Sequence, residues 1–352
     1  MAHSFCLNDS LEDAGTLKIS YQNHQFSKTT RHLPVLDSNS FFHQTLPEFS
    51  NDLDHVRSIV FADSIVGPTC KTEFEKCLSE FKHLRSLELL DTFGFEAFPE
   101  KMGALKHLRY LNFWWNTEIK RLPKSIFKLQ NLQALVLSQD GLEELPKDVR
   151  YMISLRFLYL VTQQKRLPEG GIGCLECLQT LFIIRCENLE NLCEDMQGLK
   201  GLRKLVIGGC DSLISLPRSI KYLTTLEEFY IINCEKLDLM IIEKEKEKKN
   251  QPPSPPLRIV IFGNLLATLA LPEQLLRGFT ESLQTFIITD YPNIEKMPEC
   301  IGNLKKLQKL EITRCPRLSK RCQEGKEEDW PTIKHISKIE VDDDNSGEET
   351  SL

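Results

Sequence analysis

Long apolar runs are missing from this chain of 352 residues. The longest one, residues 259–271, is too short to cross a bilayer and is interrupted by Gly263, Asn264 and Thr268. The opening stretch, MAHSFCLNDSLEDAG, has neither a basic segment nor an apolar segment after it, so it does not predict a secretion signal. We therefore expect a protein without membrane contact that resides in the cytoplasm, with the nucleus as a second location.

Motifs of catalysis are also missing. The sequence contains no phosphate-binding G-x-x-x-x-G-K-[ST] loop, no G-x-G-x-x-G after a strand, no H-E-x-x-H and no G-x-S-x-G. Its eight histidines show no metal-ligand spacing. These absences predict a protein that is not an enzyme and that binds no cofactor and no metal.

A basic excess is missing as well. The formal net charge is −6 at pH 7, whereas a general nucleic-acid binder normally carries a strong positive excess. The basic residues look scattered, apart from one mixed run of glutamate and lysine. The sequence therefore predicts no nucleic-acid partner.

Cysteine, in contrast, is not scarce, since the chain has twelve. Without a secretion signal we expect reduced thiols and not a disulfide framework. Cys174 and Cys177 have the C-x-x-C spacing of zinc and redox sites. No second such pair exists and both residues flank core positions where two repeats join, so we interpret them as structural.

The most abundant pattern in the chain is a repeat with steps of 23 or 24 residues. Each unit opens with a leucine that begins an L-x-x-L-x-L run, as in Leu132, Leu135 and Leu137. A second apolar residue follows later in the unit, often as a Leu-Pro pair. This is the leucine-rich repeat signature, whose period is about 20–29 residues. The opening leucines are Leu84, Leu108, Leu132, Leu155, Leu178, Leu202 and Leu226.

The spacing within a unit predicts its fold. L-x-x-L-x-L turns alternate side chains inward from a short strand, and the Leu-Pro turn then returns the chain on the other side. One unit cannot bury its own core, so units stack. Less regular units open at Val56, Leu257, Leu283 and Leu307, and residues 335–341 predict a final edge strand. We expect an α/β solenoid, a horseshoe of about eleven units with a parallel sheet on its concave face and loops and short helices on its convex face.

The repeat also divides the chain. Residues 54–342 form the predicted repeat domain, residues 1–53 a linker or cap, and residues 343–352 an acidic disordered tail. Within the domain, residues 243–256 read EKEKEKKNQPPSPP and combine charge with proline. Proline cannot continue a helix here, so this insertion is predicted to be a flexible surface loop.

Four cysteines fall at one position of the repeat. Cys186, Cys210, Cys234 and Cys315 each lie eight residues after the opening leucine, where the repeat consensus has asparagine or cysteine. A small polar side chain there can bond to the backbone as the strand turns away. We therefore expect these thiols to be structural.

The strand positions between the core leucines point out to the concave face. Several of these positions hold aromatic residues, and two interpretations remain open. The rings either stabilise the sheet by packing across strands, or form an exposed row that binds another protein. We favour the second, because tyrosine and tryptophan are common interface anchors. The candidate residues are Tyr110, Trp114, Phe157, Tyr159, Phe182 and Tyr230.

Four stretches carry a resemblance to a known family: TTRHLPV, FKHLRSLELLD with FPEKMGALKHLRYLNF, LATLALPEQLL, and the ending CPRLSKRCQEGKEEDWPTIKHISKIEVD. Together they resemble the C-terminal repeat region of plant nucleotide-binding leucine-rich-repeat immune receptors of the coiled-coil class. The resemblance implies a role in defence, with a pathogen effector, a guarded host protein or a nucleotide-binding module as the partner.

The chain also departs from that family. The phosphate-binding loop, the other nucleotide motifs, the Met-His-Asp switch and the N-terminal coiled coil are missing from it, so it resembles the sensor half alone. Two alternatives remain: a generic intracellular leucine-rich-repeat scaffold and a ubiquitin-ligase adaptor, both unrelated to immunity. The adaptor would need a helical ligase-binding domain in residues 1–53, where we find no clear amphipathic run.

Overall fold

The structure is a computed structural model that describes residues 30–37, 41–42, 50–61, 68–89, 99–113, 119–138, 141–240, 255–325 and 328–342. Several sequence predictions fall outside these residues. They are the side chain of Trp114, most of the insertion at 243–256, and the tail at 343–352.

Within the described residues, thirteen parallel strands form one sheet, and their order in space is their order in the chain. This is the open solenoid sheet that the repeat predicts, because each unit adds one strand beside the previous one. The strands are β1 His32–Val35, β2 Ser58–Phe61, β3 Ser86–Leu89, β4 Tyr110–Asn112, β5 Ala134–Leu137, β6 Phe157–Leu160, β7 Thr180–Ile184, β8 Lys204–Gly208, β9 Glu228–Ile232, β10 Ile259–Gly263, β11 Thr285–Thr289, β12 Lys309–Thr313 and β13 Lys338–Val341.

Short helices return the chain on the convex side. In several units a 3₁₀ helix begins directly after the Leu-Pro pair, where the proline holds extended backbone, as Pro123 does with φ −66° and ψ 141°. The 3₁₀ helices of the described residues are Ser50–His55, Glu100–Ala104, Lys124–Lys128, Lys147–Tyr151, Ile172–Cys174, Met196–Gly198, Arg218–Tyr222 and Glu299–Asn303. The α-helices are α1 Pro68–Glu80, α2 Glu273–Arg277, α3 Pro316–Arg321 and α4 Trp330–Ile333.

The core is a continuous column of inward-facing side chains. Leu132, Leu135 and Leu137 of one unit are all 0% exposed, and the equivalent residues of the neighbouring units pack on them. The predicted final strand exists as β13. Strand β1 lies within the segment that we interpreted as a linker or cap, and it pairs in parallel with β2.

The turn at the end of each strand explains the recurring cysteines. Cys186, Cys210, Cys234 and Cys315 are buried, and each thiol donates to a backbone carbonyl. The residue before each of these cysteines has positive φ, at Arg185, Gly209, Asn233 and Arg314. Only glycine adopts this conformation without a steric cost, and asparagine tolerates it better than most other residues. The cysteine at this position is therefore structural.

A polar cap closes the C-terminal end of the sheet. The guanidinium of Arg321 donates two hydrogen bonds to the carboxylate of Asp329, at 2.9 and 3.1 Å. The same carboxylate accepts the backbone N–H of Met297 at 3.0 Å. After β12, the Arg314 N–H donates to the side chain of Asp342, the residue that follows β13, at 2.6 Å.

Candidate protein-binding face of the sheet

Strand pairing without offset aligns the outward side chains into columns across the concave face. The middle column runs through the centre of each strand, and its outward side chains alternate with the core leucines. Between β5 and β11 this column is apolar without interruption, whereas Glu88 and Asn112 precede it and Glu311 and Glu340 follow it. Its apolar members are Val136, Tyr159, Phe182, Val206, Tyr230, Ile261 and Ile287.

Three aromatic rings form a cluster at the centre of this face. The ring of Phe182 lies 5.6 Å from that of Phe157 and 5.7 Å from that of Tyr159, the latter pair stacked. Phe157 and Tyr159 are half-buried, but Phe182 is only 5% exposed because its neighbours enclose it. Phe182 therefore supports the two outer rings and offers little surface of its own. We call these residues the aromatic cluster.

Tyr230 belongs to a different group, with polar partners. Its hydroxyl donates to the carboxylate of Glu228 at 2.7 Å. Lys204 lies 3.0 Å from the same carboxylate and 5.1 Å from the centre of the Tyr230 ring. Burial and the bond to Glu228 raise the pKa of Tyr230, so the phenol stays neutral. The ring is thereby contacted both at its hydroxyl and over its face.

Tyr110 lies apart from both groups. It is half-buried beside Glu88 and Asn112, and Asn112 is itself buried at 8% exposure. Burial raises the pKa of Glu88, while the amide of Asn112 opposes the shift. Burial and the charge of Glu88 raise the pKa of Tyr110 in turn. This end of the face is polar, so the five described candidate residues form three groups.

The sequence interpretation missed part of the site. Ile261 and Ile287 extend the middle column by two strands beyond Tyr230: Ile261 pairs with Tyr230, and Ile287 pairs with Ile261. Both could have been found by counting four residues from the opening Leu257 and Leu283, as in the regular units. Trp114 is outside the described residues, so its place on the face stays a prediction.

Thiols and other potentially reactive groups also occur in the described part of the chain. Cys174 and Cys177 are both exposed, and no group of three potential metal ligands occurs among the residues that the structure places. Burial raises the pKa of the Cys315 thiol to about 11 and that of Cys322 to about 12, so both stay protonated. None of the described helices has the length and apolar character needed to span a bilayer.

Comparison with known families identifies the repeat. A family model described as leucine-rich repeat region matches residues 55–276. The chain belongs to the leucine-rich repeat family. The matched residues begin with the unit that contains β2 and end in α2, so the match includes the aromatic cluster and Tyr230 of this repeat protein.

Its curated relatives are plant disease resistance proteins. TMV resistance protein N of Nicotiana glutinosa is 32% identical over 147 residues, which cover 40% of this chain and 12% of the relative. Protein SUPPRESSOR OF npr1-1, CONSTITUTIVE 1 of Arabidopsis thaliana is 28% identical over 209 residues, covering 58% of this chain and 13% of the relative. The repeat protein thus spans a small part of the length of these relatives.

A solved structure supports the fold. The leucine-rich repeat domain of the type III effector XopL matches with a TM-score of 0.50 at 25% sequence identity. The match covers 61% of this chain and 70% of that domain. Sequence and structure thus agree on an open leucine-rich repeat solenoid, related in sequence to plant disease resistance proteins.

Proposed function

We propose that this chain is the recognition module of a plant immune receptor and that its concave face binds another protein. The observation that carries the proposal is the apolar middle column from Val136 to Ile287, which displays the half-buried rings of Tyr159 and Tyr230. Leucine-rich repeat solenoids use such concave surfaces for binding. The kinship with disease resistance proteins supports a role in defence.

The rings on this face are ordered before any partner arrives. Tyr159 stacks on Phe182, and Tyr230 is held by Glu228 and Lys204. A side chain that is already fixed loses little entropy when it is covered, so more of its burial energy remains for binding. Large aromatic residues that are fixed in this way are the usual anchors of protein interfaces.

The proposed partners are a pathogen effector, a guarded host protein or a nucleotide-binding module. A nucleotide-binding module would have to come from another part of the protein or from another chain, because this sequence lacks the phosphate-binding loop. We propose action in the cytoplasm or nucleus, where the free thiols of the chain would stay reduced. We also propose Trp114 as a further anchor, on the count of the repeat alone.

Co-purification tests the proposal. The full chain is expressed in plant tissue together with the nucleotide-binding module of a relative as a separate fragment, and captured proteins are compared between the wild type and a Tyr159→Ala/Tyr230→Ala variant. We expect the variant to stay folded and to lose the captured module. Capture of ubiquitin-ligase core subunits, unaffected by the variant, would favour the adaptor alternative instead.

A further inference from the structure

A row of arginines lines the edge at which the first four strands begin. Arg31, Arg57, Arg85 and Arg109 each occupy the position just before the first residue of β1, β2, β3 and β4. Their backbones are bonded in series: the Arg57 N–H donates to the Arg31 carbonyl at 2.8 Å, Arg85 to Arg57 at 2.7 Å, and Arg109 to Arg85 at 2.8 Å. Neighbouring strands lie about 4.8 Å apart, so the four residues span about 15 Å. We call them the arginine row.

The surroundings of the row add to its positive charge. Lys82 and Lys106 lie three residues before Arg85 and Arg109, and both are exposed. His83 and His107 each directly follow one of these lysines in the sequence, and the centres of their imidazole rings lie 5.4 Å apart. The acidic residues described on the same strip are few. Asp54 lies 3.7 Å from Lys82, and Glu80 ends helix α1.

The guanidinium groups in the middle of the row are available. Arg85 and Arg109 are exposed, and neither makes an ion pair or a side-chain hydrogen bond with any residue that the structure describes. Arg57 donates to backbone carbonyls of its own turn, at Asp54 and Val56, and meets no carboxylate among those residues. A partner would therefore not have to break an existing ion pair to reach these groups.

The same repeat position differs in the later units. Arg156 stands between Gln133 and Gln179, and Arg203 pairs with Glu227 at 3.3 Å. The consecutive arginines are thus confined to the first strands of a chain whose net charge is −6. The basic residues are scattered in the sequence, but the repeat aligns these four along one edge of the sheet.

We propose that the arginine row binds an acidic segment of a partner protein, as a contact separate from the aromatic cluster. The planar guanidinium matches a carboxylate with two parallel hydrogen bonds, which lysine cannot do. A single row of side chains along a sheet edge suits a linear segment better than a small molecule, which needs a concave pocket. The overall negative charge of the chain opposes a long polyanion such as RNA more than a short acidic segment.

Charge reversal at the row provides the test. The probe is a fluorescein-labelled peptide of about eight glutamates, long enough to cover the row at about 3.3 Å per residue. Anisotropy is measured with the full chain, with Arg85→Glu/Arg109→Glu, and with the control Arg156→Glu/Arg258→Glu, which changes the same repeat position in later units. We expect the first variant to weaken binding about tenfold or more and the control about twofold or less.

Further measurements separate the outcomes. Binding should weaken as salt rises, because exposed charges are screened. Arg85→Gln/Arg109→Gln, which adds no new charge, should show a smaller loss in the same direction and covers the case in which charge reversal unfolds the chain. Absence of peptide binding, or equal losses in the two reversed pairs, would overturn the proposal. Tighter binding of a single-stranded oligonucleotide or of phosphatidylserine vesicles, lost in the same variant, would overturn it in favour of that ligand.

Discussion

Strand β6 carries apolar side chains on both faces, and the two faces differ in what covers them. Leu158 and Leu160 point inward and are 0% exposed, because neighbouring units enclose them. Phe157 and Tyr159 point to the concave face and remain half-buried. The inward pair and the outward pair are both compatible with a β-strand. Apolar character alone therefore does not assign a residue to the core; the packing of the neighbouring units decides it.

The largest effect is expected on the inward face. Leu158→Ala should lower the free energy of unfolding by about 3 kcal/mol, because it removes buried methyl groups and leaves a cavity in a close-packed column. Urea unfolding followed by circular dichroism measures the change. If Leu158→Ala lowers the free energy of unfolding no more than Tyr159→Ala does, the proposed difference between the two faces is wrong.

On the outward face, the effect should appear in binding and not in folding. Tyr159→Ala should cost less than about 1 kcal/mol of stability, the usual worth of a cross-strand pair. It should weaken the partner complex by about 2 kcal/mol or more if Tyr159 is an anchor. Calorimetry with the captured partner measures the latter.

Tyr222→Ala supplies the matched control for this prediction. Tyr222 is 42% exposed and ends a helix on the convex side, so its removal should change neither quantity much. Equal melting-temperature losses in Leu158→Ala and Tyr159→Ala, with unchanged affinity, would instead show that the rings serve the sheet.

Tyr291 is a core residue whose substitution should increase stability, in contrast to the loss expected for Leu158→Ala. The hydroxyl of Tyr291 is buried and has no hydrogen-bond partner among the described residues. A buried polar group without a partner costs free energy, so Tyr291→Phe should stabilise the fold by about 1 kcal/mol. Tyr230→Phe is the control, since its hydroxyl donates to Glu228 and its loss should not stabilise. Thermal unfolding of the two variants compares them, and a less stable Tyr291→Phe would contradict the argument.

The sequence predicted the inward face well, since a fixed step between leucines places strands β3 to β9. The accessible part of the outward face was harder to predict. Phe182 has the right repeat position, yet Phe157 and Tyr159 cover it through side-chain conformations that spacing does not specify. The polar surroundings of Tyr110 could have been found, because Asn112 shares its strand and Glu88 lies on the preceding one. The arginine row was also present in the repeat count and was missed because the position just before each strand was not aligned.

The smallest effect concerns the polar end of the middle column. Burial raises the pKa of Glu88, so the folded chain binds this proton more tightly than the unfolded chain, whose glutamates titrate near about 4.3. Above the raised pKa the carboxylate is ionised in both states and its burial opposes folding. As the pH falls through the window between the raised and the ordinary value, the folded state takes up the proton first and stability increases.

Glu88→Gln removes this cost while keeping a side chain of similar shape that can still accept from Asn112. It should stabilise the fold by about 0.5 kcal/mol at neutral pH, and the advantage should shrink as the pH falls through that window. Glu311→Gln is the matched control in the same column, because Glu311 lies 2.7 Å from Lys309 and gains from its charge. Chemical unfolding at several pH values compares the two. A Glu88→Gln protein that is less stable than the wild type at neutral pH would show that the polar end of the face is held together by this charge and not weakened by it.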